Sequence, residues 1–182
     1  MSNLAMIGLI PMAAYAIGCV SGAYYLVRWR TGQDLRLVGS GNAGARNAGC
    51  VLGRGGFAAA LAMDAGKGAF VTLGSRMITG SETVVAASMV AVVAGHVWPA
   101  QLGFKGGKGA ATALGVLAAY DVRIAIILLA VGLTLLAVSR RLSVGGFAAL
   151  ALAPVAAAAY GRGVVAVVAL AMVAGLVAFA HA

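Results

Sequence analysis

Long apolar runs separated by short polar breaks make up this chain. Stretches dominated by Ala, Leu, Val and Gly cover residues 4–27, 56–73, 83–99, 109–120, 124–138, 142–159 and 164 to nearly the end. A hydrocarbon layer about 30 Å thick is crossed by roughly 20 apolar residues of helix. The alternation of apolar and polar positions that marks a membrane barrel strand is scarce. The pattern therefore predicts an all-α fold, a polytopic membrane helical bundle of seven transmembrane segments, with residues 1–182 as a single integral-membrane domain. The stretch at 109–120 is short for a full crossing and is expected to tilt, break or lie partly at the interface. No basic region precedes the first run, so it reads as a retained span and not as a cleaved signal.

Composition agrees with a bilayer. The 182 residues are 63% hydrophobic and 9% charged, with a mean hydropathy of +1.03. A soluble domain has about a quarter of its residues charged. The formal net charge is +9, from 13 Lys and Arg against Asp34, Asp64, Glu82 and Asp121. The bases lie between apolar segments, not on one soluble face, which argues against nucleic acid as a partner. Cys19 and Cys50 make no disulfide framework, and no metal-ligand spacing is present.

The basic residues set an orientation. The breaks after spans one, three, five and seven hold Arg28, Arg30, Arg36, Arg46, Arg54, Lys105, Lys108, Arg140 and Arg141. The other side holds Arg76, Arg123 and Arg162, and Lys67 falls inside the second span. Nine against three puts the first group in the cytoplasm and the N-terminus outside, with the C-terminus cytoplasmic.

Three polar elements then share the cytoplasmic face. The first is "LVGSGNAGARNAGC", residues 37–50, read as a loop. Its glycines allow backbone N–H groups to converge on an anion, Arg46 adds charge, and Ser40, Asn42 and Asn47 can meet phosphate or a polyol hydroxyl. The second is "GFKGGKG", residues 103–109, with Lys105 and Lys108. It fails the nucleotide-binding P-loop pattern, since Gly109 follows Lys108 where Ser or Thr is needed. The third is the Arg140–Arg141 pair followed by Ser143, which either caps a helix or binds phosphate. His96 ends the third span, either as a packed interfacial residue or in contact with substrate. No carboxylate lies near it in the sequence, so no His–carboxylate relay is visible. Asp64 and Lys67, spaced i,i+3, share a helix face and read as an ion pair bracing the bundle.

These motifs resemble the bacterial membrane glycerol-3-phosphate acyltransferases that use acyl-phosphate donors, the PlsY family. The resemblance rests on "GSGNAGARNAG" (residues 39–49), "MDAGKG" (63–68), "GHVWPAQLGFKGGKGAATALG" (95–115) and "SRRLSVGG" (139–146). It implies transfer of an acyl chain from acyl-phosphate to the 1-hydroxyl of sn-glycerol 3-phosphate, giving lysophosphatidate and inorganic phosphate. It implies catalytic roles for Lys108, His96, Asn47 and Ser40. Gly41, Asn42, Arg46, Lys105, Gly106, Gly107 and Ser143 are expected to bind substrate, and Asp64 and Lys67 to give structural support. No cofactor or metal is expected. The expected partners are the two substrates, membrane lipid and, functionally, an enzyme that makes acyl-phosphate. The implied location is the bacterial inner membrane, with the active face cytoplasmic.

Gln101 stands where an acyl-thioester-dependent His–Asp motif needs its Asp, which agrees with the resemblance. Two features depart from it. Arg46 replaces a usual Thr and Cys50 a usual phosphate-binding Arg, and the sequence stops at residues 180–182 where the family continues with an Asn-containing, Arg-rich element. An alternative reading follows: a non-catalytic or altered-specificity paralogue that binds phosphorylated lipid or a membrane partner. A small transporter is a third, resting on Asp64 and Lys67 within a span, though no repeated broken-span pattern supports it.

Overall fold

The computed structural model describes residues 3–182, with the side chains of residues 3–6 and 142–144 left outside the description. Eight helices are described: α1 (Asn3–Cys19), α2 (Gly22–Thr31), α3 (Ala45–Thr79), α4 (Glu82–Val97), α5 (Ala110–Tyr120), α6 (Val122–Ser139), α7 (Leu142–Ala159) and α8 (Val164–Phe179). Single 3₁₀ turns at Leu35–Leu37 and Ala100–Leu102 interrupt two of the connections. Among the described residues, three segments have the length and apolar character to cross a membrane, Ile7–Thr31, Glu82–Leu102 and Val122–Ser139.

The expected run at 4–27 is broken. α1 ends at Cys19, and Ser21 starts α2 by accepting the Tyr24 N–H on its Oγ at 3.3 Å. Such a cap offers the first turn a partner for an otherwise unsatisfied N–H. α2 then continues to Thr31, so Arg28 and Arg30 are helical, and Gly32 closes it in the left-handed region at φ 72°.

The second run also differs. The expected loop carried Arg46 and Arg54, whereas α3 begins at Ala45 and includes both. At Gly53 the backbone takes φ 74°, ψ −167° inside α3. Glycine alone adopts this readily, so a short arm, residues 45–52, joins the long remainder with no loop between them. Residues 38–44 remain a loop, whereas the glycines from Gly49 onward lie in a jointed helix.

Small residues bring the helices close. A Cβ at Gly18 would meet the Val92 carbonyl, and one at Gly95 would meet Tyr15 O, so α1 and α4 approach backbone to backbone. Gly68 and Gly115 do the same for α3 and α5, against Thr112 O and Ala65 O. This is the small-residue packing of membrane helices, where close van der Waals contact replaces hydrophobic drive. α5 rises only about 16 Å along its axis at 1.5 Å per residue, and Thr112, Ala113, Val116 and Leu117 bury it against its neighbours. The main core joins Met89, Val92 and Val93 of α4 to Val116, Ile124, Leu170 and Val173. α6 buries Ile124, Ala125 and Leu128 and turns Ile126, Leu129 and Leu133 outward.

The polar connections sort to two ends. At one end Arg76 donates to Tyr120 O at 3.1 Å, and Arg123 and Arg162 both pair with Asp121. At the other end lie the residues of the glycine motifs.

Candidate active site

The first glycine motif is built around one buried amide. Asn47 is 2% exposed on the short arm of α3. Its Nδ2 donates to Leu35 O, Val38 O and Asn42 O at 3.0, 2.9 and 3.0 Å, and its Oδ1 accepts the Ser40 N–H at 3.0 Å. A side chain at Gly39 would strike Asn47 Oδ1, which leaves glycine as the residue that fits there, at φ 59°. The amide of Asn47, a residue expected in catalysis, is occupied in shaping the loop. Ser40 and Gly41 are exposed beside it, and Asn42 is half-buried.

The second motif closes the end of α4. The last carbonyls of a helix lack intrahelical partners. Here Gly106 N–H donates to Val97 O and Gly107 N–H to His96 O, both at 3.1 Å. A Cβ at Gly106 would hit His96 O, and one at Gly107 would hit His96 Nε2. The two glycines are thus the residues that let the loop lie on the helix end. Lys105 is exposed and Lys108 half-buried, directly before the start of α5.

The two motifs meet. Ala43 N–H donates to Gly106 O at 3.4 Å, and Arg36 Nη1 donates to Leu102 O at 2.6 Å. Arg36 is itself held by Asp34, whose carboxylate accepts from Arg36 Nε and Nη2 at 3.0 and 2.7 Å. That hydrogen bond from Arg36 lowers the Asp34 pKa to about 2. Ser21 Oγ donates to Ala43 O at 2.8 Å and ties the break between α1 and α2 to the same loop.

Beneath the loops sits the Asp64–Lys67 pair, at 3.1 Å and almost fully buried. Lys67 Nζ also donates to Gly18 O and Val20 O at 2.9 and 2.7 Å and lies 2.8 Å from His96 Nδ1. Asp64 Oδ1 accepts the Gly22 N–H at 2.9 Å and lies 3.5 Å from His96 Nδ1. A carboxylate therefore does face His96, from 32 positions earlier in the chain. The contact is invisible in the sequence around His96, because the carboxylate arrives from another helix. The i,i+3 Asp–Lys pair inside an apolar run was the available signal, since buried ions need partners.

Arg46 stands apart from Asn47 on the outer side of the short arm. Arg46, Gly49, Cys50, Gly53, Arg54 and Phe57 line a cleft of about 260 Å³. Arg46 and Cys50 are one helical turn apart on one face. A second cleft of about 240 Å³, lined by Ile17, Val20, Gly22, Met63 and Lys67, opens beside the buried pair. Ser143 lies in the first turn of α7, and its side chain is outside the described residues.

The glycerol-3-phosphate acyltransferase family profile matches residues 8–182. Over 145 residues the chain is 44% identical to glycerol-3-phosphate acyltransferase 1 of Desulfitobacterium hafniense (strain Y51), covering 79% of this chain and 71% of that relative. It is 35% identical to glycerol-3-phosphate acyltransferase 1 of Bacillus cereus (strain ATCC 10987 / NRS 248) over 173 residues, 95% of each chain. Among solved structures it is similar to PlsY, an integral membrane glycerol 3-phosphate acyltransferase, in its glycerol 3-phosphate form. The TM-score is 0.90 at 30% identity, over 96% of this chain and 88% of that one. The lysophosphatidic acid form of PlsY gives a TM-score of 0.87 at 27% identity, over 96% and 87%.

Proposed function

The chain belongs to the glycerol-3-phosphate acyltransferase family, as an integral membrane acyltransferase of phospholipid synthesis, and from that premise we propose that it moves an acyl chain from acyl-phosphate to the 1-hydroxyl of sn-glycerol 3-phosphate. The products are lysophosphatidate and inorganic phosphate. The observation that carries this reading is the joining of two glycine-rich loops over the end of α4, through Ala43 to Gly106 and Arg36 to Leu102.

The chemistry suits such a site. Acyl-phosphate is a mixed anhydride with a good leaving group, so no protein nucleophile is required. The 1-hydroxyl oxygen attacks the acyl carbon, and the carbon–oxygen bond to phosphate breaks. The phosphate leaves with that electron pair and takes up the hydroxyl proton. What the protein supplies is alignment of two anions and stabilisation of the charge that develops on oxygen. Gly44 and Gly109 precede α3 and α5 as N-caps with no side-chain hydrogen bond, so the first N–H groups of both helices are available to phosphate. Lys108 and Lys105 bring positive charge, Ser40, Gly41 and Asn42 supply close polar contacts, and Gly106 and Gly107, whose N–H groups close the end of α4, shape the loop that carries both lysines to the substrate. Ser143 joins the anion-binding set, Arg46 adds positive charge from the outer side of the short arm, His96 touches the reacting groups, and Asn47 holds the loop that carries Ser40.

In this reading α1 and α2 share one crossing, and α3 to α8 give six more. The N-terminus is outside and the site faces the cytoplasm of a bacterial inner membrane. Gathering of Arg76, Asp121, Arg123 and Arg162 at the far end supports the alternation.

The test is direct. Purified protein in lipid is given palmitoyl-phosphate and sn-glycerol 3-phosphate, and lysophosphatidate and phosphate are both measured. Equal release of the two is expected. Correctly folded protein giving no lysophosphatidate above a protein-free blank overturns the reading. Palmitoyl thioester, offered in parallel, is expected to give none, and efficient use of it overturns the donor assignment.

A further inference from the structure

His96 has a tautomer that its neighbours decide. Lys67 Nζ has three polar neighbours within 2.9 Å: Gly18 O at 2.9 Å, Val20 O at 2.7 Å and His96 Nδ1 at 2.8 Å. An ammonium group has three N–H bonds and no acceptor lone pair, so at 2.8 Å from Nδ1 it can only donate to that ring nitrogen. Asp64 Oδ1, at 3.1 Å from Nζ, supplies the counter-charge and is already an acceptor for Gly22 N–H. Asp64 Oδ1 is also 3.5 Å from His96 Nδ1 and competes for a proton there. The shorter contact from Lys67 wins that competition, because two protons cannot share the 2.8 Å gap between Nζ and Nδ1.

We propose that Lys67, oriented by Asp64, is a positioning residue that holds His96 as its Nε2–H tautomer, so that the imidazole offers a hydrogen-bond donor at the Gly106–Lys108 loop. This rests on the acyl-transfer reading and deepens it. His96 then cannot serve as the base for the glycerol hydroxyl. It donates to a substrate oxygen, and the departing phosphate is left to collect the proton. The side of the ring that faces the loop is defined, since a Cβ at Gly107 would strike Nε2. The loop is also pinned to this residue through the Gly107 N–H bond to His96 O.

The chain provides its own reference. It has two histidines, and His181 has Nδ1 2.8 Å from Val177 O. A carbonyl only accepts, so His181 carries its proton on Nδ1. The two rings are expected in opposite tautomers, which nitrogen resonances of ¹⁵N-histidine-labelled protein in lipid distinguish. His181→Gln assigns the signals.

Wild-type protein is expected to show His96 protonated on Nε2. Lys67→Met removes the donor and leaves Asp64 facing Nδ1, so the proton should move to Nδ1, with kcat falling about 10²-fold, the usual effect of losing one transition-state donor. KM for glycerol 3-phosphate should change far less. Lys67→Arg, which keeps a cationic donor, should retain the Nε2–H tautomer and recover part of kcat. A His96 protonated on Nδ1 in the wild-type protein overturns the proposal without any variant. Retention of Nε2–H in Lys67→Met also overturns it. Wild-type protein with no acyl transfer overturns the acyl-transfer reading and the catalytic use of the donor, while the resonances still decide the tautomer on their own.

Discussion

Arg36 donates from Nη1 to the Leu102 carbonyl at 2.6 Å, across 66 positions of sequence. This single guanidinium joins the two glycine loops, and Asp34 grips its other edge through Nε and Nη2. Replacing Arg36 by Gln should separate the loops and lower turnover by about tenfold, on the principle that small misplacement of binding groups is costly. The helices, packed elsewhere, should keep their circular dichroism. Turnover equal to wild type would show that the loops stay together without this bridge.

The same clamp has a pH dependence. The Arg36 hydrogen bond lowers the Asp34 pKa from its ordinary 3.8 to about 2. A depressed carboxyl contributes stability that is fully present above the ordinary value and is lost as pH falls through the folded one. Between about pH 4 and pH 2 the difference in melting temperature between wild type and Asp34→Asn should therefore shrink toward zero. A difference that holds constant across this window would remove Asp34 from the clamp.

Lys108→Ala tests the expected anion site most directly. Lys108 is half-buried one residue before Gly109, the N-cap of α5. Losing a charged donor at a developing anion typically costs about 10²–10³ in kcat, and a fall of that order is expected in lipid-incorporated protein. Near-normal turnover would exclude Lys108 from the site.

Gly107→Ala and Gly66→Ala form a matched pair. The methyl at 107 would meet His96 Nε2 and its neighbouring ring carbons, whereas nothing lies within 4 Å of a Cβ at Gly66. Loss of turnover of about 10²-fold is expected for the first, from displacement of the loop. The second lies in a helix interior, where Ala is favoured over Gly by roughly 0.5–1 kcal/mol, so activity should persist and melting temperature hold or rise. Equal activity in the two variants would mean that the loop does not rest on His96.

Hydropathy located the later helices closely. The runs at 124–138, 142–159 and 164 onward meet α6, α7 and α8 within a few residues, because long apolar segments between basic or glycine breaks leave little choice. The earlier elements differ for local reasons. The α1–α2 break depends on Ser21 capping Tyr24, and the short arm of α3 depends on Gly53 entering the left-handed region. Neither event changes average hydropathy. The candidate site is legible as residue types and not as geometry: Lys108, His96 and the glycines stand out as candidates, while the Asp64–His96 contact and the occupied amide of Asn47 require helices to be packed first.

Arg46 and Cys50 carry the last prediction. In a loop, a spacing of four positions leaves their relation open. In α3 they lie one turn apart on one face and line the same cleft with Arg54. A turn is about 5.4 Å along the axis, a distance that the long arginine side chain can span. Arg46 can thus bring its guanidinium toward the volume that an arginine at position 50 would occupy, and bind phosphate in bidentate fashion. Arg46→Thr should raise KM for glycerol 3-phosphate by about tenfold, the lower end for a hydrogen bond to a charged group. Adding Cys50→Arg to that variant should restore KM, since the charge returns on the same helix face. Unchanged saturation in Arg46→Thr would remove Arg46 from the anion site, and failure of the double variant to recover would mean that the two positions address different volumes.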